Sequence, residues 1–533
     1  MIPVIDLFAG PGGLCEGFSQ PVCGQHPFRP VLSIEMDPVA HKTLTLRAFV
    51  HYFMRNSRSL PSAYYAYVNG RITREELFER YPEVSKEAHD VAWCAELGGS
   101  KIPKAEFDRR ISEALGGNRD WLLIGGPPCQ AYSLVGRSRS VGGIKNDKKI
   151  SWEAAAAEFN KDKRQRLYRQ YLRIIAAHSP AVFVMENVAG MLSAKVDGSP
   201  VFPRILEDLQ NPGHVATRYF PDMKKVKCHE YHVFSFVTGL EESAENGERF
   251  LIRAEKYGVP QCRHRVILLG VRDDYFKKRP QIGKLVERDS QCSVRAAIGD
   301  LPKMKSAISR KGADLSVRWE DFVCSICKDP VFEEFDDGVK VAILDSFHLR
   351  KRFLVEDCGN DWQHNSGPLS LWYDDKNLTL PLNHVARSHM AKDLWRYLFV
   401  SAYGSAHGRS PTIADFPADL LPDHANVHLD GDEDKVYDFA DRFKVQLWAR
   451  PSSTVTSHIA KDGHYFIHPD SSQCRSLTVR EAARLQTFPD NYFFEGNRTQ
   501  QYHQVGNAVP PYLANQLAEI VFDVFKQVKG DLR

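Results

Sequence analysis

The strongest constraint on this chain lies in its first forty residues. An apolar run at 4–8 breaks into a glycine-rich bend at 9–13, and a second apolar run at 31–34 ends on Glu35-Met36-Asp37. Strand, tight turn, helix, strand is the opening unit of an open parallel sheet, since parallel neighbours are reached only through a crossover and a helix is the compact way to make one. Apolar runs at 121–124, 181–185 and 265–270 continue the rhythm. Each is of strand length and too short for a helix. Residues 167, 171, 174 and 175 supply an apolar helix face between two of them, and 478–485 and the stretch from 511 to 524 read as later helices.

Two segments interrupt the pattern. Residues 48–119 are rich in Tyr, Arg and Glu, with Thr73 and Glu76 spaced as a capping box, and read as an inserted helical segment. From about 285 to 470 the alternation is lost, and short apolar runs are separated by Pro, Asp and His, which predicts a second domain with its own fold. At 533 residues the chain is too long for one core. A formal charge of +3 excludes a whole-chain polycation that coats nucleic acid, but not a local basic cleft. No apolar run approaches the roughly 20 residues of a membrane helix, and the N-terminus lacks the marks of a signal peptide. The eleven cysteines have no framework spacing. The expectation is a reduced, cytoplasmic enzyme.

The chemistry-bearing residues sit where apolar runs end. A bend carrying Gly10, Gly12 and Gly13, followed by an acid at the end of the next strand, Glu35, can receive a cofactor and grip ribose hydroxyls. G-x-G-G is not the pyrophosphate-binding spacing and suits a cofactor without phosphates, such as S-adenosylmethionine; a plain structural turn fits these residues about equally well. Pro127-Pro128-Cys129-Gln130 places a thiol at the mouth of a buried strand, and a thiolate there is a strong nucleophile. The following stretch, with Arg137, Arg139, Lys145, Lys148 and Lys149, is a lid or a plain surface loop. Glu186 ends another strand and can act as an acid or hold an amino group, although most such glutamates are simply solvated. Arg263 and Arg265 alternate onto one face, fit to polarise a carbonyl or to form an ordinary ion-pair edge. Cys324 and Cys327 with Cys358 and His364 lack the paired spacing of a structural zinc site, so no metal is expected.

Taken in order, DLFAGPGG, GGPPCQAYS, ENVAG, QCRHR, RSLTVREAARLQTFPD and QVGNAVPP resemble the motifs of bacterial DNA (cytosine-5-)-methyltransferases, from the first strand to the last helix. The resemblance implies a Rossmann-like α/β catalytic domain with a mostly parallel sheet over residues 1–285, an irregular α+β target-recognition domain over 286–499, and a segment, 500–533, returning to the catalytic domain. It implies S-adenosylmethionine as methyl donor, held by Phe8, Gly10, Gly12, Gly13, Glu35, Met36, Leu167 and Asn507, with Glu96 as a candidate contact to the adenine. Cys129 matches the nucleophile, Glu186 the residue that binds the cytosine edge, and Arg265 the residue that steadies the ring, with Arg263 in support. Double-stranded DNA is the implied substrate, with the target base flipped out of the stack. A cognate restriction endonuclease is the implied companion, and the enzyme is expected to act as a monomer.

Arg350-Lys351-Arg352 in the recognition block is a candidate phosphate contact. The start of the chain at the first catalytic strand favours a stand-alone bacterial enzyme. Two alternatives fit the residues less well. The tRNA-modifying branch of the same fold carries a CFT tripeptide where Ala189-Gly190-Met191 stands here, and has a smaller recognition region. A silent DNA-binding relative would have lost the cysteine or the cofactor loop, and both are present.

Overall fold

The computed structural model describes residues 1–128, 163–196, 198–308, 319–351, 362, 367–421 and 442–530. The chain divides into two compact units. One comprises Met1–Tyr257, Arg263–Arg288 and Ala508–Arg533; the other comprises Gly258–Cys262 and Asp289–Asn507. The division after Asn507 falls at the end of helix Arg498–Asn507, which therefore belongs whole to the second unit.

The first unit is built on one eight-stranded sheet. Its strands are β1 (Ile2–Leu7), β2 (Phe28–Glu35), β3 (Ala92–Cys94), β4 (Leu122–Gly125), β5 (Val182–Val188), β6 (Tyr231–Ser235), β7 (Leu251–Arg253) and β8 (His264–Arg272). Their order is β3-β2-β1-β4-β5-β8-β6, with β7 also paired to β8. The first five strands run parallel, and β8 is antiparallel to β5, β6 and β7. The central strands are buried on both faces, as a sheet covered by helices requires: Val4, Ile5, Leu7, Leu122, Leu123, Ile124 and Val182 to Met185 are inaccessible.

Helix α1 (Gly13–Ser19) leaves the glycine bend, and α2 (Pro38–Arg55) leaves Asp37, whose carboxylate accepts from the N–H groups of Val39 and Ala40. The two helices are tied by a buried ionic cluster. Arg47 donates through Nε and Nη2 to the two oxygens of Glu16, at 2.6 and 2.5 Å, and His51 lies 2.7 Å from the same carboxylate. Burial opposes the charge on Glu16, but Arg47 and His51 outweigh it and hold the carboxyl well below its usual range. The final helix, α9 (Pro511–Lys529), packs against α1 so closely that a Cβ on Gly17 would lie 2.4 Å from the Ala514 Cβ. Its buried residues Leu513, Leu517, Val521, Val524 and Val528 recur at helical spacing.

Residues 48–119 need correcting. The inserted helices are Ser62–Val68, Arg74–Glu79 and Pro82–Val91, and the expected capping box at Thr73 and Glu76 is present. The stretch also holds the end of α2, the edge strand β3 and helix α3 (Lys104–Leu115), all regular parts of the sheet domain. A three-residue strand, Ala-Trp-Cys, carries too little periodicity to stand out in sequence. Helix α4 (Lys163–His178) buries Tyr168, Tyr171, Leu172, Ile174 and Ile175 in a core shared with Met185 and Leu268.

In the second unit, α5 (Asp337–Lys351) and α6 (Ala391–His407) share an apolar core with Phe443, Val445 and Ile467. Strands are few among its described residues: Ala307–Ile308 pairs with Ser388–His389, and the other pairings are single bridges. Around α7 (Val479–Leu485) and α8 (Arg498–Asn507) the order rests on buried charge. Arg475 grips both oxygens of Glu481 at 2.6 and 2.7 Å, and Arg484 grips both of Asp490 at 2.8 and 2.7 Å and reaches Asp300 at 2.6 Å. Arg480 donates to the carbonyls of Leu382, Pro489 and Tyr492. Thr478 and Glu481 form a capping box at the start of α7.

Candidate active site

Sheet register decides which of the candidate residues meet. Leu7 lies beside Ile34 on one side and Gly125 on the other, and Gly125 lies beside Met185. The next residue in each strand or turn, namely Phe8, Glu35, Gly126 and Glu186, therefore stands at the same carboxyl edge. Arg265, opposite Val188 in the antiparallel partner, enters from that edge as well. Strand order reverses between β1 and β4, and an open α/β sheet binds ligands at the carboxyl ends around such a switch point. With strands spaced about 4.8 Å apart, Glu35 and Glu186 stand three strands apart, roughly 14 Å, on either side of that point.

On the β1–β2 side the backbone shapes an open cradle. Phe8, Gly10 and Gly12 all take positive φ, at 59°, 57° and 97°. A phenylalanine in that region is strained, a condition that persists where surrounding structure enforces it. Gly10 donates its N–H to Glu35 Oε2 at 2.8 Å, and Asp37 donates to Oε1 at 2.8 Å. Each carboxylate oxygen keeps acceptor capacity for a further donor. Burial pushes the Glu35 carboxyl above its usual range, against the pull of those backbone bonds. Nothing lies within 4 Å of a Cβ on Gly10, and Gly12 is the N-cap of α1, with no side-chain cap. Met36 is exposed, Leu167 is half-buried on α4, and Glu96 is exposed just beyond β3.

On the β4–β5–β8 side, Glu186 and Arg265 form an ion pair, Arg265 Nε to Glu186 Oε1 at 2.8 Å, both side chains largely shielded. Arg265 Nη1 donates to the carbonyl of His264 at 2.8 Å. Arg263 lies on the same face and is buried; burial and the neighbouring Arg265 lower its pKa to about 9, against the attraction of Glu186. Two residues beyond the expected set complete this corner. Asn187 donates from Nδ2 to the Pro127 carbonyl at 3.0 Å and accepts from the Val188 N–H at 2.9 Å, which fixes the turn that follows β4. A Cβ on Gly126 would sit 2.9 Å from Glu186 Oε2, so this glycine leaves room for the carboxylate. Both lie inside the motifs singled out by sequence, but only a structure shows whom they face.

Cys129 and the cationic stretch carrying Arg137, Arg139, Lys145, Lys148 and Lys149 lie outside the described residues, as do Arg352, Cys358, His364 and the side chains of Arg350 and Lys351. Cys324 and Cys327 are exposed. Asn507 is exposed at the end of α8 in the second unit. Among the described residues no helix is long and apolar enough to cross a membrane.

A mostly parallel sheet of this order, with a glycine cradle and an acid over its first two strands, is a Rossmann-like methyltransferase fold. The comparisons make that class specific. The family model for C-5 cytosine-specific DNA methylases matches residues 111–322 and 352–523. The chain is 32% identical to the type II methyltransferase M.Bpa9945I of Bacillus paralicheniformis, over 98% of each chain. It is 25% identical to the type II methyltransferase M.DdeI of Desulfomicrobium norvegicum, over 98% of this chain and 89% of that one. It is also 25% identical to the DNA (cytosine-5-)-methyltransferase M.ApeKI of Aeropyrum pernix, over 98% and 99%. The chain belongs to the C-5 cytosine-specific DNA methylase family and is a DNA (cytosine-5-)-methyltransferase.

Proposed function

We propose that this enzyme methylates carbon-5 of a flipped-out cytosine within a specific duplex sequence, through a covalent adduct to Cys129 and with S-adenosylmethionine as donor. Its role is that of the modification enzyme of a restriction–modification system, with a cognate endonuclease as companion, in the bacterial cytoplasm. The type II relatives support the role, and one flipped base needs only one subunit, which supports a monomer. The observation that carries the chemistry is the Glu186–Arg265 pair at the same sheet edge as the glycine cradle and Glu35.

The cradle fits the donor. Glu35 has acceptor capacity for the two ribose hydroxyls, the bare glycines let the cofactor approach the backbone, and Phe8, Met36 and Leu167 offer apolar surface to the adenine. When bound, S-adenosylmethionine supplies an electrophilic sulfonium methyl group.

The residues of the chain supply the rest. Carbon-5 of cytosine is a weak nucleophile, so the thiolate of Cys129 adds to carbon-6, forming an S–C6 bond and turning the ring into an enamine. Negative charge develops on the ring during this addition. Glu186 holds the nitrogen-3 and amino edge, and Arg265, with Arg263 behind it, stabilises charge on the ring carbonyl. Carbon-5 would then take the methyl group from the donor's sulfur, the carbon-5 proton would pass to a base, and the S–C6 bond would open to release Cys129. The target must leave the stack at a cost of a few kcal/mol, offset by protein contacts and by closure of the cationic stretch after Cys129. The second unit, with Arg350-Lys351-Arg352 touching phosphates, reads the sequence.

The test is base-resolution sequencing of 5-methylcytosine in DNA from a methylation-free bacterial host expressing the chain or its Cys129→Ser variant. A short motif methylated only by the intact protein is expected. Equal methylation by the variant refutes the covalent mechanism, and absence of any methylated motif refutes the duplex DNA substrate.

A further inference from the structure

Outside the residues assigned above, one buried titratable group stands next to the proposed catalytic arginines and has no role in the reaction. Glu255, in the turn Ala254–Tyr257, is 8% exposed. Its Oε1 is 2.8 Å from His264 Nε2, and its Oε2 is buried with no hydrogen-bond partner among the described residues. A buried carboxylate with one partner is expensive, and removing that partner would leave it wholly uncompensated. The cost of freeing Glu255 therefore holds the His264 side chain in one place.

His264 is the first residue of β8, between Arg263 and Arg265. Side chains alternate along a strand, so its ring faces away from the side that carries Arg263, Arg265 and Glu186. Its main chain does not: the His264 carbonyl accepts from Arg265 Nη1 at 2.8 Å, while Arg265 Nε bonds Glu186 at 2.8 Å. The turn that bears Glu255 is itself fixed. Ala254 donates its N–H to the Arg263 carbonyl, Arg288 donates its N–H to the Lys256 carbonyl, and Gln516 from α9 donates to the Tyr257 carbonyl. An unbroken series of contacts thus runs from a rigid turn to the pair that handles the base.

We propose that Glu255 and His264 are positioning residues for the methyl transfer: their bond fixes the peptide whose carbonyl orients the Arg265 guanidinium toward Glu186 and the target ring. This rests on the role proposed above for Arg265.

The test measures single-turnover methyl transfer, and the affinities for duplex DNA and for S-adenosylmethionine, in His264→Ala, His264→Gln, Glu255→Gln and Arg265→Lys, and in the double variant H264A/R265K. The His264 side chain is 38% exposed, so its truncation leaves no buried cavity. His264→Ala is expected to slow transfer about tenfold, as small misplacements of catalytic groups do, with both affinities within about twofold of the parent. His264→Gln, which keeps a donor for Glu255, should recover most of the rate, and Glu255→Gln, which keeps an acceptor, should do likewise. In the Arg265→Lys background the guanidinium bond to the carbonyl is already gone, so His264→Ala should cost far less there. Full additivity of the two losses, an unchanged rate in His264→Ala, or a His264→Gln variant as slow as His264→Ala overturns the proposal. If Arg265→Lys itself transfers at the parental rate, the role of Arg265 falls first and the positioning pair falls with it.

Discussion

Replacing Gly126 by alanine tests the geometry of the base-binding corner at a single atom. The added Cβ would lie 2.9 Å from Glu186 Oε2, whereas ordinary contacts begin at 3.4 Å. The carboxylate must therefore withdraw by about half an ångström, because Gly126 sits in a turn pinned by the Asn187–Pro127 bond. Gly126 does not have a positive φ, so alanine brings no backbone strain of its own. The shift falls on an oxygen beside the Arg265 bond, and a misplacement approaching 1 Å can cost about a hundredfold in rate. Half of that displacement predicts a loss of about tenfold in single-turnover rate, or ~1.4 kcal/mol in the barrier. The assay is transfer of a labelled methyl group to a duplex carrying the target motif, with saturating cofactor, beside a thermal melt. The expected result is a slower chemical step with a melting temperature within a few degrees of the parent. An unchanged rate would refute the placement of Glu186 at the reacting base. An equal loss of rate and of fold stability would refute the argument that the clash is local.

Four other expectations follow. Gly125→Ala, one residue earlier, meets backbone instead of a side-chain tip, with its Cβ 2.5 Å from the Leu7 carbonyl oxygen; it should lower unfolding stability by about 1–3 kcal/mol in urea denaturation, in contrast to its neighbour. Glu35→Gln should weaken S-adenosylmethionine binding by about 1.5–3 kcal/mol in calorimetric titration while duplex affinity holds, since charge-assisted bonds to the ribose are lost. Because burial raises the Glu35 pKa, parental cofactor affinity should decline on acidification at a higher pH than an ordinary glutamate would give. Acid should also loosen the second unit early. Burial lowers the pKa of His384 to about 4 and of His468 to about 4, so the unfolded chain binds more protons than the folded one between about pH 6.5 and 4, and the stability held above that window is lost as pH falls through it. Hydrogen exchange at pH 7 and pH 5 checks this; equal protection of residues 475–490 at both values would contradict it.

Much of the site was legible in the chain because its residues lie where strands end, and in a parallel sheet those ends share one edge. Glycines, Glu35, Glu186 and Arg265 follow or open apolar runs, so their common level follows once the runs are read as neighbouring strands. The order of those strands is less visible. Nothing in the run at 265–270 marks β8 as antiparallel to β5, because direction is set by where the intervening β6 and β7 leave the chain, and neither was apparent in the sequence. The edge strand β3 was hidden inside a segment read as helical for the same reason: three residues hold no period.

The series of motifs, read as text, sufficed for the enzyme class, because residue types at strand ends report chemistry directly. Pairing did not follow from it. That Glu186 bonds Arg265, that Asn187 holds the turn before Cys129, that Gly126 makes space for one oxygen, and that Glu255 reaches the histidine between two arginines are facts of distance. Each joins residues whose spacing along the chain carries no period, and side-chain bonds across strands leave no mark on local propensity. Residue identity states what a group can do; the fold states which other group it does it with.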